Sequence, residues 1–155
     1  MYRCAIVGCG KRARMHAQAY KLVPDGQLVA CCDLREDLRN AFASDFGLQP
    51  FADVREMLSV ISPDLTHVVT PPTVRLEVMS ILNEIGVPAA IVEKPIACGV
   101  KDWRAIGELA RNARTKFAVG HQFRYGPPLV QCRSALASGT LGTPLFMDFS
   151  AGMNI

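Results

Sequence analysis

Short apolar runs that alternate with helical segments constrain this chain more than any other feature. "RCAIVG" at residues 3–8 reads as a buried strand, followed by a helix over 11–23 that stops at Pro24-Asp25-Gly26. "QLVACCD" at 27–33 is a second strand, and its helix over 35–46 ends at Gly47. Residues 48–51 form a short third strand. Asp53 and Glu56 then stand at capping-box spacing and open a short helix to about Val60. "LTHVVT" at 65–70 is the fourth strand. Val74, Val78, Ile81, Leu82 and Ile85 share one helical face ahead of Gly86. "AAIV" at 89–92, a helix around Trp103, Ile106, Leu109 and Ala110, and "FAVG" at 117–120 complete the series. Strands alternating with helices are βαβ units, and right-handed crossovers make them an α/β, doubly wound parallel sheet with helices on both faces.

After residue 120 the alternation breaks at "HQFRYGPP". A short helix over 128–137 and one more strand over 143–153 follow. This divides the chain into 1–122 and 123–155, the latter a linker helix and the first strand of a second α/β domain. A lone apolar strand invites pairing with another copy, so self-association through 143–153 is expected.

Composition narrows the function. A net charge of +3 over 155 residues, with no basic stretch interleaved with aromatics, argues against a nucleic-acid or membrane surface. No apolar run approaches the roughly 20 residues of a membrane span. Six cysteines show neither C-x-x-C nor zinc spacing, so no metal is expected. The N-terminus reads as a strand and not as a secretory signal. Together these point to reduced thiols in a cytoplasmic protein.

The first turn carries chemistry. "GCGKRA" places Gly8, Gly10 and Ala13 as G-x-G-x-x-A, directly after a strand and before a helix. The first glycine allows the tight turn, the second admits a pyrophosphate, and the small third residue lets helix and strand pack. The helix N-terminus offers free N–H groups to phosphates. Asp33 ends the second strand, 23 residues beyond Gly10, where a carboxylate accepts hydrogen bonds from both adenosine ribose hydroxyls. It repels a 2′-phosphate, which favours NAD(H). Arg35 and Arg12 can each pair with a 2′-phosphate, which leaves NADP(H) possible. Cys9 is either a thiol activated by the helix N-terminus or a small residue beside the cofactor. Of the three histidines, His16 reads as a surface or packing residue, His67 as buried in mid-strand, and His121 as lying at the cleft side.

Three further segments follow strand ends and face the same cleft: "VVTPPTV", "AIVEKPIACG" and "GHQFRYGPP". Taken alone, Glu93-Lys94-Pro95 suits a surface ion pair as well as an active-site floor. Together with the glycine loop, Thr70-Pro71-Pro72, the segment around Arg124 and Pro127, and "SGTLGTPLFMDFS", it resembles the Gfo/Idh/MocA oxidoreductase family over essentially the whole chain. Pro72 and Arg75 stand where that family usually has Asn and His, and Pro88 occupies another customary histidine position.

The resemblance implies hydride transfer between a nicotinamide cofactor and a hydroxyl or carbonyl carbon of a sugar, cyclitol or similar polyol. Lys94 is the catalytic candidate, stabilising negative charge on the reacting oxygen, while Glu93 holds ribose or orders the turn and Pro95 points Lys94 inward. The cofactor-binding set is Gly8, Cys9, Gly10, Lys11, Arg12, Ala13, Asp33, Arg35, Thr70, Pro71, Pro72, Glu93, Lys94, Gln122 and Arg124. Members of the family usually run to more than twice this length. The expectation is therefore a cofactor half that turns over weakly or not at all alone, or alternatively a non-catalytic dinucleotide sensor or regulatory module.

Overall fold

The structure, a computed structural model, describes residues 1–148. The chain divides into two units at Gly120/His121. The first unit contains β1 (Tyr2–Val7), α1 (Lys11–Ala19), β2 (Gly26–Cys32), α2 (Glu36–Phe46), β3 (Gln49–Phe51), α3 (Val54–Ile61), β4 (Leu65–Val68), α4 (Arg75–Ile85), β5 (Ala89–Val92), α5 (Val100–Asn112) and β6 (Lys116–Val119). The strands form one sheet in the order β3-β2-β1-β4-β5-β6, and each neighbouring pair is parallel. The family of strands therefore runs outward from β1 to β3, then returns to β4. The order reverses between β1 and β4, which opens a crevice at their carboxyl ends.

The period-two geometry of a strand explains the two cores. Ala5 and Val7 of β1, with Ala30 and Cys32 of β2, face Met57, Leu58, Val78, Met79, Leu82 and Ile106 from α3, α4 and α5. The intervening Ile6 and Cys31 face Ala13, Ala17, Phe42 and Ala43 from α1 and α2. A strand covered on both faces cannot alternate polar with apolar residues, hence the unbroken apolar runs of β1 and β2.

Helix ends follow local chemistry. Gly47 and Gly86 close α2 and α4 in the left-handed conformation (φ 65° and 86°). The Asp53 carboxylate accepts the Glu56 N–H at 2.8 Å and caps α3. The first helix is shorter than its sequence suggests. It stops at Ala19 and tightens into a 3₁₀ turn, Tyr20–Leu22. Pro24 forces Val23 out of the helical region, and the last turn tightens to satisfy its carbonyls. A second 3₁₀ turn, Pro72–Val74, precedes α4. Val74 and Ile85 lie at the ends of the expected stripe and remain exposed, whereas Met79 joins its centre.

The second unit holds a 3₁₀ turn, Gln122–Tyr125, and α6 (Pro127–Ala137), which has proline at its first helical position. The strand expected over 143–153 is not formed at 143–148, and 149–153 lie outside the described residues. A strand's backbone groups are satisfied by a neighbouring strand. Among the described residues none pairs with this segment, and Leu145, Phe146 and Met147 are exposed.

Candidate functional site

The glycine turn is built from two different requirements. Gly8 has φ +96°, and a Cβ there would lie 2.9 Å from the carbonyl carbon of Val69 and 3.1 Å from the Thr70 nitrogen. Its lack of a side chain serves both the turn and the close passage of the chain leaving β4. Gly10 has φ −75° and ψ −174°, which any residue adopts. A Cβ on it would meet nothing within 4 Å. No contact inside the chain calls for glycine at this position. It leaves space directly above the start of α1, which has neither a side-chain cap nor an acidic residue in its first turn. The leading N–H groups of α1 and its positive dipole end are therefore available to an anion.

Asp33 is fixed beside this turn. Its Oδ2 accepts the Cys9 N–H at 2.8 Å and its Oδ1 accepts the Arg35 N–H at 2.9 Å. The Arg39 guanidinium donates to its backbone carbonyl at 2.8 Å. Each carboxylate oxygen keeps a lone pair for a further donor. A groove of about 720 Å³ runs along these strand ends, bounded by Gly8, Gly10, Lys11 and Arg12, by Asp33, Leu34 and Arg35, by Thr70, Pro71 and Val74, and by Glu77 and Val78 of α4. The Thr70 Oγ1 is buried and has no hydrogen-bond partner among the described residues. A buried hydroxyl without a partner is uncommon and suits a ligand donor or acceptor.

The structure separates the residues singled out in the sequence. Gly8, Gly10, Lys11, Arg12, Asp33, Arg35, Thr70 and Pro71 line the groove. Cys9 and Ala13 lie behind it, 2% and 0% exposed, in the core beneath α1. The Cys9 thiol is no activated nucleophile. The adjoining Cys31 thiol and burial push its pKa up, and its sulfur faces the Cys32 carbonyl. Arg35 gives its guanidinium to Asp37, with contacts at 3.2 and 2.5 Å. Pro72 opens the 3₁₀ turn ahead of α4. Gln122 and Arg124 belong to the 3₁₀ turn of the second unit.

Lys94 is exposed just beyond β5, and its ammonium has no ion pair or hydrogen bond among the described residues. Its neighbour Glu93 differs sharply, being only 4% exposed. The Glu93 Oε1 accepts Arg12 Nε at 3.0 Å and faces His16 Nε2 at 2.8 Å, while Oε2 accepts the Lys94 N–H at 3.2 Å. Burial alone would raise its pKa, but the hydrogen bonds from His16 and Arg12 prevail and hold it below the usual carboxylate value. Arg12 is thus engaged by a carboxylate. His16 is not a surface or simple packing residue but part of this network. Arg12 and His16 stand four apart on one face of α1, a spacing that was legible in the sequence.

His67 is buried in mid-strand as expected. Its Nε2 lies 2.7 Å from the Tyr20 hydroxyl, and its ring meets His16 edge-on with centroids 5.1 Å apart. Burial, and then the charge of His16, lower its pKa to about 4.

Arg75 is the residue that the sequence reading passed over as a departure. It is 3% exposed. Its Nε and Nη2 donate to the Thr70 carbonyl at 3.1 and 2.9 Å, and its Nη1 donates to the carbonyls of Glu93 and Pro95. Arg75 stands three, four and seven residues before Val78, Met79 and Leu82, so helical spacing already placed it on the buried stripe.

A glycine turn between strand and helix, an acid fixed at the end of β2 and a groove at the reversal of strand order define a dinucleotide-binding α/β domain. The chain belongs to the Gfo/Idh/MocA oxidoreductase family: the family model described as "Oxidoreductase family, NAD-binding Rossmann fold" matches residues 2–121. It is 29% identical over 146 residues to a D-apiose dehydrogenase of Paraburkholderia graminis, covering 94% of this chain and 39% of that protein. It is 33% identical over 150 residues to an inositol 2-dehydrogenase of Rubrobacter xylanophilus, covering 90% of this chain and 41% of the relative. Among solved structures, an oxidoreductase from Agrobacterium radiobacter in complex with NAD+, L-tartaric acid and magnesium superposes with a TM-score of 0.84 at 25% identity, over 92% of this chain and 42% of that one. The chain spans about two-fifths of the length of these relatives.

Two expected outcomes follow from this geometry. Gly8→Ala combines a left-handed φ with a backbone clash and lowers stability by about 2 kcal/mol or more. Gly10→Ser keeps stability within about 0.5 kcal/mol, because serine caps well at this φ and ψ, yet weakens dinucleotide binding about tenfold or more by filling the phosphate approach. Urea unfolding and nucleotide titration of both variants separate the two effects.

His67 supplies a pH dependence. Its pKa is about 4 folded against 6.5 unfolded, so its contribution is complete above pH 6.5 and is lost as pH falls through 4. Stability therefore drops by about 2 kcal/mol from about pH 7.5 to about pH 5 on account of this group. Urea midpoints of His67→Gln should show a correspondingly smaller drop over the same interval.

Proposed function

We propose that this chain binds NAD(H), in preference to NADP(H), along the groove at the carboxyl ends of β1, β2 and β4. The observation that carries this reading is the Asp33 carboxylate, held by the amides of Cys9 and Arg35 beside the uncapped start of α1. Such an acid accepts the ribose hydroxyls, and the helix terminus takes the pyrophosphate. Arg35 favours NAD(H) further, since its guanidinium is engaged by Asp37. Thr70 and Pro71 then line the nicotinamide half.

The reaction served is hydride transfer between the nicotinamide and a hydroxyl or carbonyl carbon of a sugar, cyclitol or similar polyol. The names of the relatives, a D-apiose and an inositol dehydrogenase, support that substrate class. Lys94 is the catalytic residue within this chain. Its ammonium, without an internal partner among the described residues, stabilises negative charge on the reacting oxygen as hydride leaves or arrives. The site operates in a reducing cytoplasm, in keeping with free thiols at all six cysteines.

Calorimetric titration with NADH and NADPH tests the reading. NADH binds more tightly than NADPH, and Asp33→Asn lowers NADH affinity about 10- to 100-fold, the worth of one or two charge-assisted hydrogen bonds. Equal binding of both nucleotides by the two proteins would refute the assignment of Asp33.

The exposed run Leu145-Phe146-Met147 supports self-association through 143–153. Deleting 143–153 is expected to lower the sedimentation coefficient by more than the lost mass explains, and an unchanged value per unit mass would refute this.

A further inference from the structure

Arg75 poses a physical question that the dinucleotide reading does not answer. It begins α4 on the stripe that Val78, Met79 and Leu82 bury against the sheet. A charge in that position is costly to desolvate, and an apolar residue of similar volume would pack there without the cost. Its guanidinium hydrogen-bonds no side chain among the described residues. It spends its donors on three backbone carbonyls, those of Thr70, Glu93 and Pro95.

Those carbonyls belong to two separate segments. Thr70 leaves β4 and lines the groove. Glu93 and Pro95 flank Lys94 in the turn leaving β5, and a single nitrogen of Arg75 serves both. The opposite side of the same turn is held by α1, through Arg12 and His16 on the Glu93 carboxylate. The Lys94 backbone is thus fixed from α4 through its carbonyl neighbours and from α1 through an acid. A planar guanidinium with five donors can tie two loops at once, whereas an ammonium on a flexible stem cannot match that geometry.

We propose that Arg75 is the positioning residue of the nicotinamide half of the site, locking the loop after β4 and the Lys94 turn after β5 into one rigid wall. This rests on the dinucleotide reading above. In that reading adenosine lies toward Asp33 on β2, and the nicotinamide half lies toward β4 and β5. Arg75 therefore acts on one end of the ligand only. ADP, which lacks both the nicotinamide and its ribose, should not sense its removal.

The test is titration of the full chain with NADH and with ADP, for wild type, Arg75→Met and Arg75→Lys, with circular dichroism as the check on folding. The expected result is a loss of NADH affinity of about tenfold in Arg75→Met, with ADP affinity unchanged within about threefold. NADH fluorescence in the complex shifts toward that of the free nucleotide. Arg75→Lys keeps the charge with fewer matched donors and shifts the ratio in the same direction by less. It carries the test if the methionine variant does not fold. Equal losses for both ligands, or no loss for either, would overturn the positioning role while leaving dinucleotide binding intact. Failure of the wild type to bind either ligand would instead overturn the dinucleotide reading, and this inference with it.

Discussion

The close passage of two backbones at Gly8 is the constraint on which the site depends. β1 and β4 are neighbours in the sheet although a full α-β-α-β-α excursion separates them in sequence. At their carboxyl ends the turn after β1 and the chain after β4 approach so closely that a single Cβ on Gly8 would reach the Val69 carbonyl carbon. This contact ties the start of α1 to the Thr70-Pro71 wall of the groove. It is main-chain packing, and no rotamer change can relieve a side chain inserted there.

Around that contact the protein places two charged groups where apolar ones would be expected. The Glu93 carboxylate is buried and gathers donors from α1 and from the Lys94 amide. Arg75 is buried and gathers carbonyls from both loops. Each is compensated by well-directed partners, the condition under which a buried charge is tolerated. Their common effect is to hold the segment between them. Lys94, by contrast, is exposed, and its ammonium has no ion pair or hydrogen bond among the described residues. For the catalytic role proposed for Lys94, a tightly held backbone matters because little reorganisation would remain to be done when charge develops.

The remaining polar features sort by the same logic. Tyr20 hydrogen-bonds the His67 Nε2, while burial and the charge of His16 keep the imidazole neutral. The cysteines of the first two strands behave as small apolar residues, and burial pushes the Cys32 thiol up to about 12. The fixed amides around Asp33 keep its carboxylate aimed along the groove.

The residue pattern alone specifies the element order, the parallel sheet and the glycine loop with its acid. Strand runs, helical spacing and capping residues are local signals, and crossover handedness leaves few ways to assemble them. It also carries the i, i+4 spacing that puts Arg12 and His16 on one face of α1, and the placement of Arg75 on a buried stripe. The expected strand over 143–148 failed for the complementary reason: its residues favour extension, but a strand exists only through its partner's hydrogen bonds. Which site residues face the groove and which stand behind it follows from long-range packing, which turns the Cys9 thiol into the core and draws Arg12 onto Glu93. Such choices depend on contacts between residues some 80 positions apart, such as Arg12 and Glu93, and no local pattern encodes a partner that only the folded sheet brings within hydrogen-bonding distance.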